Sequence, residues 1–271
     1  MSATETTTTT TIQQAEPVLP LKAQPEIDPH NDSQPAPASQ GQTAQATLHS
    51  PRLTFVPYAD EHYPLSKALD QDPEVMKHIG FGRPLTDDET RQVHEWLLKS
   101  GTYLPGRGTW VAYAEGQAIG WWILAATPRD PEKPTEDFDP TRSETGYRLL
   151  KEFWGKGYAT EGSKEMIRHG LEDLGLQEVF GETMTVNHAS RKVMAKCGMK
   201  HTDTWFNTYP TPPPGIEEGE VRYRITRGEW REQEEQAKER GERGKEQGKY
   251  QGTEQGTESW FPSLPSMCIL Q

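Results

Sequence analysis

Cysteine is scarce in this 271-residue chain: Cys197 and Cys268 are the whole complement. They lie far apart and show no metal-ligand spacing, so neither a disulfide framework nor a metal site is expected, and a reducing, cytoplasmic compartment fits best. Long apolar runs are missing too. No segment approaches the ~20 consecutive apolar residues of a membrane span, and the N-terminus has no basic start leading into an apolar stretch, so no secretory signal is expected. Positive charge is in deficit, with 29 Lys and Arg against 41 Asp and Glu and a net charge of −12. An acidic chain repels phosphate backbones, so no nucleic-acid partner is expected, whereas a cationic ligand is compatible. Apolar residues make up only 32% of the chain, too few for its whole length to be core.

What apolar content there is concentrates between Arg52 and Arg227. Three segments follow from this: a disordered stretch at 1–50, rich in Thr, Gln, Pro and Ala; one folded domain at 51–228; and a charged low-complexity tail at 229–271, with a frayed helix over 229–240. Within the domain, the alternation from Arg52 to Pro57 predicts a strand, and Leu65, Ala68 and Leu69 predict a helix. Asp72-Pro73 opens a second short helix, and Thr86 with Glu89 forms a capping box ahead of a third. Strands are expected over 108–114 and 117–126, then a Pro/Asp loop over 127–142 and a strand over 144–150. A helix over 159–174, a strand over 178–186, a helix over 187–197 and strands over 199–206 and 220–226 complete the order. Such a mixture predicts an α/β or α+β layer with helices on both faces of one sheet.

The segment Glu152-Phe153-Trp154-Gly155-Lys156-Gly157-Tyr158-Ala159-Thr160-Glu161 carries the chemistry. A strand runs into a loop with two glycines, and a helix begins directly after it. Gly155 and Gly157 permit positive φ, so consecutive N–H groups can converge on an anion at the helix N-terminus. A pyrophosphate is the natural ligand. A triphosphatase P-loop would need Gly-Lys-Ser/Thr, which Gly155-Lys156-Gly157 lacks, and a dinucleotide fingerprint would need glycine where Thr160 stands.

Trp154 to Glu161 resembles the coenzyme A loop of the GNAT acetyltransferase superfamily, in its RimJ/RimL-like branch. The similarity continues through Gly170-Leu171-Glu172-Asp173-Leu174-Gly175-Leu176 and Asn187-His188-Ala189-Ser190-Arg191-Lys192-Val193-Met194-Ala195-Lys196-Cys197-Gly198-Met199, and reaches upstream to Arg52-Leu53, Asp72 to Met76 and Pro84-Leu85-Thr86. The resemblance implies a mixed, mostly antiparallel sheet whose central parallel strand pair splays apart. It implies acetyl-CoA as co-substrate, with its pantetheine arm against Leu149, Leu150 and Asn187. Backbone amides of Gly155, Lys156, Gly157, Tyr158, Ala159 and Thr160 would hold the pyrophosphate. The implied activity is acetyl transfer to a primary amine, on a small molecule or a protein N-terminus, with no metal. The alternative is a chain that keeps the fold and binds acyl-CoA, or tethers to a membrane, without efficient turnover.

Direct transfer needs a base for the ammonium, and Glu144, beside the expected cofactor strand, is the leading candidate, with Glu182 second. His169 and His188 are expected to be exposed helix residues. Trp110, Trp121, Trp122, Trp205 and Phe206 are expected in the core and on strand faces. Many relatives place an acidic tyrosine seven residues after the helix Asn. Met194 stands there instead, which leaves Ser190, one turn from Asn187, as the general acid. The chain ends Cys268-Ile269-Leu270-Gln271, a match to the prenylation pattern, and a lipid on Cys268 would give weak, reversible membrane association.

Overall fold

In a computed structural model of the chain, which describes residues 45–80, 82–130, 137–209 and 212–254, the strands form one sheet. They are β1 (Leu48–His49), β2 (Thr54–Pro57), β3 (Gly108–Ala114), β4 (Gln117–Pro128), β5 (Phe138–Leu149), β6 (Glu178–Met184), β7 (Lys200–Trp205) and β8 (Glu220–Thr226). Their order across the sheet is β1-β2-β3-β4-β5-β6-β8-β7. Neighbours run antiparallel except β5 and β6, which are parallel at the centre. The helices are α1 (Tyr63–Asp70), α2 (Pro73–Met76), α3 (Asp87–Ser100), α4 (Tyr158–Arg168), α5 (His188–Lys196) and α6 (Arg227–Glu254). The chain divides after Arg227 into two units, and the sheet lies in the first.

Period-two alternation along β4 lets one strand serve two cores. Trp121 faces an apolar cluster with Leu69, Val75, Met76, Val93 and Leu97, so α1, α2 and α3 cover that side. Trp122 faces the other way, toward α4, where a Cβ on Gly162 would lie 2.4 Å from its ring. Only glycine lets α4 approach so closely. Phe55 adds an edge-on contact to Trp122 at 5.7 Å between centroids.

Local chemistry sets the helix starts. Thr86 Oγ1 accepts from the Glu89 N–H at 3.3 Å while Glu89 Oε2 accepts from the Thr86 N–H at 2.7 Å, the reciprocal box that the sequence predicts for α3. Asp72 caps α2 by accepting from Glu74 N–H at 2.8 Å.

Several boundaries differ from the sequence reading. Order begins before residue 51: Leu48 pairs with Phe55, Gln45 Nε2 donates to Thr109 O at 2.8 Å, and Trp110 Nε1 donates to Ala46 O at 2.7 Å. The expected loop at 127–142 is largely strand. A bulge after Ala126 lets pairing continue through Thr127 with Asp139 and Pro128 with Phe138, and Arg129 N–H closes on Asp137 O at 2.8 Å. The helix expected over 159–174 is α-helical to Arg168 and then widens into a π turn over His169–Asp173, stopped by Gly175 at φ 69°. His169 is therefore buried in that turn rather than exposed, and its Nε2 donates to Gly106 O at 2.9 Å. Phe206, expected on a strand face, is 71% exposed just beyond β7. The tail helix runs 14 residues past the expected stop at 240, to Glu254. Residues 1–44 and the Cys268 box lie outside the described residues.

Candidate active site

β5 and β6 pair only at Arg142 with Glu178, Ser143 with Val179 and Glu144 with Phe180. Beyond Glu144 they part, because β5 stays with β4 as far as Leu149 opposite Gly120, while β6 follows β8 as far as Met184 opposite Glu220. A cavity of about 960 Å³ opens in the resulting V. Glu144 sits at its vertex, on the last paired position, and lines the cavity.

The glycine loop closes one arm of the V. Gly155 (φ 74°) and Gly157 (φ 85°) both adopt the left-handed conformation, and Gly157 is the N-cap of α4. A Cβ on Gly155 would meet nothing within 4 Å, so its backbone faces open space. The first N–H groups of α4 have no partner inside the helix, and they carry its positive end toward the cavity. Trp154 Nε1 donates to Leu149 O at 2.8 Å, tying the loop back to the end of β5. A second brace comes from the start of the domain. Glu161 accepts from Arg52 Nε at 2.6 Å, Arg52 N–H at 2.8 Å and Ser50 Oγ at 2.8 Å, and Arg52 Nη1 donates to Lys156 O at 3.0 Å. Burial acts to raise the Glu161 carboxyl, but these hydrogen bonds hold it below the ordinary range. Arg52 also lies 4.5 Å over the Tyr158 ring. Sequence reading assigned Arg52 no site role, since its partners stand more than a hundred residues away.

α5 closes the other arm. Asn187 Oδ1 caps it by accepting from Ser190 N–H at 3.2 Å, and Asn187 Nδ2 donates to Thr183 Oγ1 at 3.0 Å, which pins α5 to β6. Ser190 shares a hydrogen bond with Tyr147 from β5, whose ring stacks on Trp122 at 5.8 Å. Burial pushes the Tyr147 phenol up to about 12. Met194 and Cys197 are buried behind them, and burial raises the Cys197 thiol to about 12 as well, leaving it inert.

Across the V, Glu182 is committed to Arg222, accepting from its Nε at 2.8 Å and Nη2 at 2.5 Å. Glu220 accepts from Asn207 Nδ2 at 2.5 Å and Tyr209 Oη at 2.9 Å, anchoring the segment after β7 over the cavity. Arg148 points to the α1 side, where it pairs with the buried Asp70. Burial raises the Asp70 carboxyl, and the Arg148 charge opposes that rise.

Of the residues singled out in the sequence, Glu144, Leu149, Gly155, Gly157, Tyr158, Ala159, Thr160, Asn187 and Ser190 all line this one cavity. Leu150 and Lys156 do not. Leu150 donates its N–H to Ile119 O at 2.9 Å and packs into the cluster under α1 to α3, so it is turned away from the V. The Lys156 carbonyl is bound by Arg52, and its ammonium lies 5.0 Å over the Phe153 ring. Tyr147 and Arg52 are the site residues the sequence reading missed. The cross-strand pairing of Tyr147 with Trp122 is the signal that points to the former. Among the described residues, no group of His, Cys, Asp and Glu is arranged to hold a metal.

The family model described as "Acetyltransferase (GNAT) domain" matches residues 52–200. The FsC-acetyl coenzyme A-N(2)-transacetylase of Aspergillus fumigatus is 58% identical over 187 residues, 69% of this chain and 79% of that protein. In fold, the chain resembles a GNAT-family acetyltransferase from Bacillus anthracis (TM-score 0.55, 18% identity, 68% of this chain and 99% of that one). It also resembles the spermidine N-acetyltransferase of Vibrio cholerae, solved with CoA and spermine (TM-score 0.53, 14% identity, 66% and 98%). A splayed parallel pair, a glycine loop opening a helix at its edge and a matched family model spanning both lead to one conclusion: the chain belongs to the GNAT acetyltransferase superfamily and is an acetyl-CoA-dependent N-acetyltransferase.

Proposed function

We propose that the chain transfers acetyl from acetyl-CoA directly to a primary amine of a small molecule, at an N(2)-type position. The observation that carries this reading is the 58% identity to a relative named for N(2) acetyl transfer. The cavity supports it. Thr160, Gly157 and their neighbours would receive the cofactor phosphates, and Leu149 and the Asn187 region would flank the pantetheine arm. The acceptor would enter between α2, β6 and the segment after β7, whose His78, Glu182 and Tyr209 line the same space.

Glu144 at the vertex would take the proton from the entering ammonium, directly or through a water. Glu182 is less suited, because its pairing with Arg222 stabilises the ionised form and makes it a weak base. Thiol release with acetyl-CoA and an amine panel tests the reading. The panel includes the acceptor of the Aspergillus fumigatus relative, polyamines and free peptide N-termini. Turnover on the first of these is the expected result. Turnover on peptides alone replaces the acceptor class, and acetyl-CoA binding without turnover on any acceptor supports the binding-protein alternative. Glu144→Gln is expected to lower kcat by about 10²-fold with acetyl-CoA affinity unchanged, and full turnover across the pH range would remove Glu144 from the role.

A further inference from the structure

Ser190 lines the cavity on the α5 side, and Met194 fills the helix position from which a tyrosine acid would be expected. A tyrosine nevertheless reaches this spot from a different element. Tyr147 on β5 hydrogen-bonds to the Ser190 hydroxyl, and its ring lies nearly parallel to Trp122, 23° between planes. Trp122 is itself fully buried and held against Gly162 of α4. The phenol is thus fixed on an immobile platform, with its oxygen at Ser190.

We infer that Tyr147 is a positioning residue that sets the Ser190 hydroxyl to donate a hydrogen bond, rather than a proton, to the departing thiolate. The inference rests on the acetyl-transfer reading of the same cavity. A buried phenol must place its proton on an acceptor, and Ser190 Oγ is the acceptor at hand. Once Ser190 accepts from Tyr147, its own O–H is directed elsewhere, and the cavity is the side it faces.

Proton energetics exclude the alternative in which this pair acts as a true acid. Tyr147 holds its proton to about pH 12, whereas a free alkyl thiol ionises near 8.5, so moving the proton to sulfur is unfavourable by about 10³-fold. A thiolate is stable enough to leave as an anion, and a hydrogen bond to it strengthens as charge develops. The balance is then complete. The neutral amine forms the N–C bond, the C–S bond breaks with its electron pair on sulfur, and the amine's surplus proton leaves through the base to water.

The test compares Tyr147→Phe, Ser190→Ala and the double variant in steady-state acetyl transfer, with acetyl-CoA affinity and melting temperature as controls. Tyr147→Phe is expected to lower kcat about tenfold, the value of one charge-assisted hydrogen bond, while KM for acetyl-CoA stays within about twofold. The double variant is expected to be no worse than Ser190→Ala alone, because the two hydroxyls act as one unit. Ser190→Thr, which keeps the hydroxyl, should restore most of the rate. The wild-type kcat profile should show no fall between about pH 8 and 10, since no acid of this pair titrates there. Independent, multiplying effects of the two substitutions overturn the inference. So does a wild-type alkaline limb that disappears in Ser190→Ala, which identifies a true proton donor. Should Tyr147→Phe melt early, the Ser190→Ala profile still decides. Failure of the wild type to turn over any amine would instead overturn the acetyl-transfer reading itself.

Discussion

At Gly162 the ring of Trp122 occupies the space where any other residue would place its Cβ. Alanine normally favours a helix over glycine by about 1 kcal/mol, but here a methyl would sit 2.4 Å from a fully buried indole that cannot turn aside. Overpacking of this kind costs about 1–3 kcal/mol, so the steric term wins. Gly162→Ala is expected to lower the melting temperature by several degrees and to disturb the Tyr147 platform, which thermal melts and kcat together would report. Individual residues were unevenly legible in the sequence. Gly155, Gly157, Asn187 and Ser190 lie within one stretch whose spacing shows their shared purpose. Tyr147 and Arg52 act through partners that only the folded sheet brings near.

Among the elements, α3 is the one whose start was written out in full. Its capping box is expected to be worth about 1 kcal/mol, so Thr86→Ala should reduce stability by that amount in denaturant melts. Its partner adds a pH dependence. Hydrogen bonds from Arg83, against the opposing pull of partial burial, and from Thr86 hold the Glu89 carboxyl at about 2, below its ordinary 4.5. A carboxyl depressed on folding contributes stability that is present above about 4.5 and is lost as pH falls through about 2. Glu89→Gln should therefore flatten the loss of melting temperature between pH 5 and pH 2 relative to wild type. Elements whose ends depend on distant partners were read less well. Prolines at 128 and 140 made the β4–β5 connection look like loop, yet pairing across a bulge carries both strands past the expected limits. The π turn after Arg168 likewise answers to packing around His169 and leaves no mark in the sequence period. α6 was cut short because it lacks an apolar stripe, although its Glu, Lys, Gln and Arg are all good helix formers.

For the molecule as a whole, the sheet does not begin where composition changes. Gln45, Ala46 and Leu48 are tied to β3 and β2 across sixty and more residues of intervening chain, although they belong to a stretch whose composition reads as unfolded. A chain starting at residue 51 should melt at a lower temperature than one starting at 45, because it strands the Trp110 indole and the Thr109 carbonyl without partners. Equal melting temperatures would show these contacts to be idle. The mixed order of helices and strands was enough to give the layer architecture, and the glycine loop and Asn helix placed the parallel pair at its centre. The size of the opening was not legible, because it depends on β5 and β6 each following a different outer neighbour.

That parting also leaves amide protons of the central strands facing an opening instead of a neighbouring strand. In the free protein those on the V side of residues 145–149 and 181–184 should exchange with deuterium faster than their depth in the molecule suggests. An extended ligand carrying amides of its own, laid along the V, would act as a temporary ninth strand. Acetyl-CoA is therefore expected to slow exchange there by an order of magnitude or more at saturation, while β2 and β3 keep their rates. An exchange map that changed uniformly, or only at the glycine loop, would place the pantetheine arm elsewhere.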